Sequence, residues 1–322
     1  MRQALRKKKV PEEALDLVIS ALAPATAKQY SSALKYWWTY CQTNNENFFK
    51  PKRETLLKCI KQKFDEGASY GTVNILRSTV SYISKKKIGQ DDIICMGVKG
   101  CFKQRPPKPK YNFTWDIGIV LDFLKTLYPL ETLNIKQLSE KTAALLVFSI
   151  GYRVQTLSLI RLQNIRRTTQ KLEIKITDII KTSAPDKCQP LLIIEKFEDN
   201  PEICVYTTLL KYIEVTSTHR NGEDLLFLSS RPPYKAVGAQ TISKWIKKTM
   251  EQSGIDIDIF TTHSTRHATS SAAFSKGINI ETIKNTIGWS ERSNVFAKFY
   301  NRPIVSEVSS FAKTVMLNRK KK

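Results

Sequence analysis

From about residue 10 to residue 100, apolar positions recur every three or four residues, the period of helices with one face on a core. PEEALDLVISAL sets Leu15, Val18, Ile19 and Leu22 on one side, and Pro24 ends that run. ATAKQYSSALKYWWTYCQTN begins another helix, with Tyr30, Leu34, Trp37 and Trp38 as its apolar face. RETLLKCIKQKFDEG and SYGTVNILRSTVSYISKKK repeat the pattern on either side of a loop at Gly67. Four or five short helices are expected, with Lys and Arg on their outer faces. KGCFKQRPPKPK breaks the period, because consecutive prolines cannot continue a helix and favour extended chain. This places a helical N-terminal domain at 1–104, a basic Pro-rich linker at 105–110 and a second domain at 111–322.

The second domain opens on two apolar helices, WDIGIVLDFLKTLYPL and KTAALLVFSIG. The period then changes to two: KLEIKITDII alternates, TSAPDK turns, and CQPLLIIEKF returns as the other arm of a β-hairpin. Helices follow at Val205–Thr216, Thr241–Gln252, around His263 and at Ile280–Ile287, with a short strand at Asp224–Leu228. The fold class expected is mainly α with a small antiparallel β-sheet.

Charge narrows the function. Lys and Arg exceed Asp and Glu by enough to give +23, with a pI near 9.7. Such an excess points to a polyanion, most often nucleic acid. No run approaches the roughly 20 apolar residues of a membrane span, and MRQALRKKKVPEE has no apolar signal core, so neither a membrane role nor secretion is expected. The six cysteines form no Cys-x-x-Cys pair and there are three histidines, which argues against a zinc finger and for free thiols in a reducing compartment. Asp256 and Asp258 alternate in GIDIDIF, a pattern better suited to solvated carboxylates than to a metal cluster. Any chemistry on phosphate is therefore expected to need no metal.

Several residues could carry such chemistry. In SIGYRVQTLSLIRLQNI an apolar helix stops at Gly151, Arg153 falls in the turn, and a Leu-rich helix resumes. In THSTRHATSSAAFSKG, His263 and Arg266 lie three apart and so share a helix face. A Gly288–Ser290 turn brings Trp289 back, and Tyr300 is the only tyrosine after Tyr234. Tyrosine collected with arginine and histidine suits a nucleophile that attacks a phosphate.

The order Arg153, His263-x-x-Arg266, Trp289, Tyr300 resembles that of the tyrosine recombinase family, the phage-integrase-like enzymes, over roughly residues 140–305. GYRVQTL resembles the family's first arginine box, HSTRHATSSAAFSKG its His-x-x-Arg box, and IGWS its Leu-Gly-His/Trp-Ser turn. The wording QTLSLI, CVYTTLLKYIE, TISKWIKK and KFYNRP looks most like recombinases of crypton-type and DIRS-type mobile elements. The helical N-terminal domain resembles the family's core-binding domain, the other half of a clamp on DNA, and 111–322 its α+β catalytic domain.

The resemblance implies a site-specific recombinase or integrase that cuts and rejoins double-stranded DNA through Tyr300. A 3′-phosphotyrosyl bond and a free 5′-hydroxyl would form, without cofactor, metal or ATP. Tyrosine, with a pKa of about 10, needs activation. Arg153 and Arg266 would bracket the phosphate with planar forks and stabilise transition-state charge. His263 would donate to or shuttle a proton at the attacking or leaving oxygen, and Trp289 would supply an N–H and packing. The family's lysine general acid falls on Lys181, after the first hairpin strand, with Lys187 across the turn as the alternative. A tetramer on paired sites, integration or excision of a mobile element, and a nuclear location for a eukaryotic element (cytoplasmic otherwise) are further expectations. The tail from Val305 to Lys322 would pack on a neighbouring protomer or cap its own domain.

Three features depart from the pattern. Thr156 stands where the family often has an acid, the gap of 11 from Trp289 to Tyr300 is a residue or two longer than is common in the family, and His267 reads as helix surface or core. Thr156 and the longer loop keep open a second reading, a DNA-binding protein that kept the fold without catalysis; a third is a type IB topoisomerase-like enzyme, with the same covalent chemistry but no partner exchange.

Overall fold

Short amphipathic runs at the N-terminus form α1 (Arg2–Lys7) and, after a 3₁₀ turn at Glu12–Ala14, α2 (Leu15–Ser20). Leu15 is buried, but Val18 stays exposed, so six residues bury less of the expected face. Pro24 does break the run, and it also opens α3 (Pro24–Thr43), since its missing N–H is unneeded in a first turn. α4 (Arg53–Asp65), α5 (Tyr70–Ile83) and α6 (Asp92–Gln104) follow. The Ser69 hydroxyl accepts the Thr72 N–H to start α5, and Asp91 accepts from Ile93 and Ile94 to start α6. Trp37 is wholly buried among Leu56, Cys59, Val73, Val80 and Ile94, and its indole donates to the Phe48 carbonyl at 3.0 Å. Its neighbour Trp38 is half exposed, which is where the expected apolar face of α3 ends.

The computed structural model describes residues 1–85, 87–108, 111–185, 187–289, 302 and 304. The chain divides into two compact units, Met1–Pro109 and Lys110–Lys322.

In the second unit, α7 (Ile117–Thr126) leads to α8 (Ile135–Ile150). A capping box between Asn134 and Gln137 starts α8, and Gly151, at φ +60°, ends it. α8 is buried on nearly every side: its second half is largely apolar all round, and in its polar first half the buried Lys141 donates to the Leu127 carbonyl while Glu140 accepts from Lys248. After the short α9 (Val154–Leu157) come β1 (Ile165–Arg167), β2 (Lys171–Lys175) and β3 (Leu191–Glu195), an antiparallel sheet in sequence order. Leu172 pairs with Ile194 and Ile174 with Leu192, and all four face the core. α10 (Val205–Thr216), α11 (Ala239–Gln252) and α12 (Ser264–Ser275) pack against α8, and α13 (Ile280–Thr286) packs on α12.

Three expectations change. The hairpin arms are shorter than the alternating pattern, and the connection 176–190 is longer than a tight turn. β1, three residues at the sheet edge, has no pattern long enough to read. The strand expected at Asp224–Leu228 is instead a crossing segment with isolated bridges, Arg161 to Leu225 and Leu228 to Ala236. Its backbone is used by the loop after α9, where Leu226 N–H donates to Ile160 and Leu162 N–H to Asp224.

Candidate active site

Two backbone segments far apart in sequence meet through glycines. Gly151 leaves α8 in the left-handed conformation, and a Cβ there would come within 2.4 Å of Ile287 Cγ2. Gly288, at φ +71°, presses on the ring of Tyr152, where a Cβ would lie 2.8 Å from Cε1. Neither approach admits a side chain. The tripeptides Gly151-Tyr152-Arg153 and Ile287-Gly288-Trp289 therefore pack as a pair. Burial pushes the Tyr152 hydroxyl above its ordinary pKa, and the Arg266 charge opposes that shift.

The third part is the start of α12. His263 is its N-cap residue with helical dihedrals, so the i, i+3 relation to Arg266 holds. The Trp115 indole donates to the Ser264 hydroxyl at 2.9 Å in a buried contact that pins this turn. Arg266 is buried, its Nη1 donates to the Gly151 carbonyl at 2.7 Å, and its guanidinium carbon lies 5.5 Å from the centre of the buried Trp289 ring. Sequence reasoning missed the roles of the Gly151 carbonyl and Tyr152; the Gly-Tyr-Arg tripeptide is legible for its arginine and its turn, and nothing local marks the other two residues.

Arg153 is half-buried at the N-cap of α9. Lys181 is exposed in a turn beyond β2, closed by Ser183 N–H to the Ile180 carbonyl and by Ile180 N–H to the Ser183 hydroxyl. Although one side of His263 is exposed, protein packed around the imidazole lowers its pKa below 6.5. The charges of Arg266, Arg153 and Lys181, in that order, lower it further. Those three cations thus act on one imidazole, and Trp289 joins them through Arg266. Lys187 is exposed on the same connection and is not among the charges acting on His263. Tyr300 lies outside the described residues. Thr156 is buried, and His267, which the sequence left as surface or core, is buried with its ring 5.7 Å from that of His263.

The His263 shift gives a measurable consequence. A folded pKa below the unfolded value means that the unfolded chain binds the proton first as pH falls. This contribution to stability is complete above pH about 6.5 and is lost as pH falls toward the folded pKa. His263 should titrate below 6.5 by NMR, and Lys181→Ala should move the midpoint upward. A midpoint at or above the ordinary histidine value would contradict the arrangement.

Among the described residues no group of three or more His, Cys, Asp or Glu is placed to hold a metal ion, and no helix is long and apolar enough to cross a membrane. The chain belongs to the phage integrase family, whose pattern it matches over residues 121–305. Solved structures similar to it include a lambda integrase dimer bound to a COC′ core site, with 16% identity over 93% of this chain and 74% of that one and a TM-score of 0.52. A second is XerH site-specific recombinase bound to a palindromic difH substrate, with 12% identity over 90% and 80% and a TM-score of 0.57. A third is the Tn1549 transposon integrase in complex with circular-intermediate DNA, with 13% identity over 83% and 86% and a TM-score of 0.51. At these identities they show the shared fold. No curated protein sequence matches the chain.

Proposed function

We propose that this protein is a site-specific DNA recombinase that cuts and rejoins strands through Tyr300, in the integration or excision of a mobile element. The observation that carries this reading is the buried Arg266 guanidinium, bonded to the Gly151 carbonyl beside Arg153 and lying over the Trp289 ring one helical turn from His263, whose pKa the charges of Arg266, Arg153 and Lys181 lower. Three positive groups around one neutral imidazole fit a phosphodiester. The guanidinium groups of Arg153 and Arg266 bind the non-bridging oxygens and stabilise the extra charge of the five-coordinate phosphorus. The Tyr300 oxygen attacks phosphorus, and the bond to the 5′-oxygen breaks. His263, neutral at pH 7, accepts the tyrosine proton or passes it on, while Lys181 gives a proton to the departing 5′-oxygen. The covalent product is a 3′-phosphotyrosine, and attack by a 5′-hydroxyl reverses every step, so sealing consumes no nucleotide.

The net charge of +23 supports a duplex substrate. The helical unit would serve as the core-binding domain and the second unit as the catalytic domain. Assembly of two dimers on paired sites is part of the same reading, and the similar fold of lambda integrase is seen as a dimer bound to a core site. So is a kinship with crypton-type and DIRS-type elements.

The test is a suicide substrate. Nicked duplexes selected for binding are incubated in EDTA with wild type and Tyr300→Phe, then denatured. Adduct from wild type alone supports the reading. Two proteins that bind without adduct would leave a DNA-binding protein, and adduct from both would mean another nucleophile. Relaxation of supercoiled plasmid lacking the selected site would favour the topoisomerase-like alternative.

A further inference from the structure

Arg302 is fixed from three directions. Its backbone N–H donates to the Ser271 hydroxyl of α12 at 3.2 Å, its Nη1 donates to the Tyr111 carbonyl, and its guanidinium lies 4.8 Å from the centre of the Tyr111 ring. Two residues on, Ile304 is buried and forms a parallel bridge with the buried Thr114. The Tyr111 ring also continues inward. It meets His267 edge-on at 5.8 Å, and His267 meets His263 edge-on at 5.7 Å. The backbone of Arg302 is thus tied to the helix that carries Arg266, and its side chain to a row of rings that ends at His263.

We propose that Arg302 is a positioning residue for the nucleophile, with Tyr111 as its seat. The inference rests on the reading of Tyr300 as that nucleophile and adds what sets its reach. Two residues of chain span no more than about 7 Å, so fixing residue 302 restricts the volume open to the Tyr300 hydroxyl. In-line attack is sensitive to that volume, because a misplacement of about 1 Å costs roughly 10²-fold in rate. Arginine suits the role better than lysine, since one planar group can stack on a ring and donate to a carbonyl at the same time.

The experiment separates aiming from folding. Single-turnover adduct formation and DNA affinity are measured for wild type, Arg302→Ala, Arg302→Lys and Tyr111→Leu. In parallel, hydroperoxide is supplied to Tyr300→Phe as an exogenous oxygen nucleophile. Its oxygen attacks phosphorus, the 5′-oxygen departs with a proton, and the strand is cut without a protein adduct. Arg302→Ala and Tyr111→Leu are expected to slow adduct formation by about 10- to 100-fold, with DNA affinity within about twofold of wild type and a smaller loss in Arg302→Lys. Added to Tyr300→Phe, Arg302→Ala should leave peroxide cleavage unchanged, because the phosphate pocket stays whole. An equal loss of peroxide cleavage would assign Arg302 to the pocket or the fold and overturn the proposal, as would an unchanged adduct rate. No adduct from wild type, with peroxide cleavage intact, would remove Tyr300 as nucleophile and this inference with it.

Discussion

Arg266→Ala should lower the rate of adduct formation by about 10³-fold, while duplex binding, which is spread over many surface cations, changes far less. Removing one preorganised donor from a developing oxyanion costs about 10² to 10³ in rate, and Arg266 does more than donate. It is buried beneath the turn that carries Trp289, and its Nη1 holds the Gly151 carbonyl at 2.7 Å. Truncation removes a charge from the proposed phosphate site, takes away the ring's cationic partner and leaves that carbonyl without this donor. Losing a hydrogen bond of this kind costs about 1–3 kcal/mol of stability, so the variant should also melt earlier. Arg266→Lys restores charge but not the fork, and should recover part of the stability and little of the rate. His263 reports on the same change: without the Arg266 charge its pKa should rise toward the ordinary value, because Arg266 is the largest of the charges lowering it. Single-turnover cleavage, thermal melts and an NMR titration of His263 check the three effects. Cleavage by Arg266→Ala within tenfold of wild type would mean that phosphate is bound elsewhere.

How much of this the sequence shows depends on the range of the interaction. The helix read at Val205–Thr216 has those bounds in the structure, and the helix read from Thr241 begins two residues earlier at Ala239, because both follow from a local period on an amphipathic face. His263 and Arg266 were legible for the same reason, since three residues along a helix is a local relation. The arms of the hairpin were legible but too long: Ile176 and Ile180 are buried as the alternation suggests, yet they leave the ladder for the Lys181 turn. The segment from Asp224 alternates like a strand and is used instead as a crossing of single bridges. Nothing local marks the Gly151 carbonyl as the acceptor for Arg266, or Tyr152 as the surface that needs a glycine at 288. Both contacts join residues more than 100 positions apart and depend on how α8 and α12 cross. That the Lys181 charge helps to lower the His263 pKa is likewise an effect of the tertiary fold, which a motif order can imply and spacing cannot.

That long-range contact can itself be broken with one methyl group. Gly151→Ala should destabilise the protein by about 2–5 kcal/mol and slow cleavage by a larger factor than the stability loss alone explains. An alanine at φ +60° costs about 1–2 kcal/mol. Its Cβ would also meet Ile287 Cγ2 at 2.4 Å, and a β-branched neighbour has few rotamers into which to retreat. Overpacking of this kind costs about 1–3 kcal/mol. Relief must come from moving either the turn at 151 or the 287–289 segment, and both choices displace the active site: the first shifts the carbonyl that orients Arg266, the second shifts Trp289 over the same guanidinium. A shift near 1 Å is enough for roughly a 10²-fold loss. Ile287→Ala removes the clashing methyl, so the double variant should melt above the sum of the two single effects, as coupled neighbours do. The strain of the left-handed alanine remains, so recovery should be partial. If Gly151→Ala melts and cleaves like wild type, the close approach of these two segments is wrong. Strictly additive losses in the double variant would put the damage at residue 151 alone, and the link from the α8 terminus to Trp289 would carry no energy.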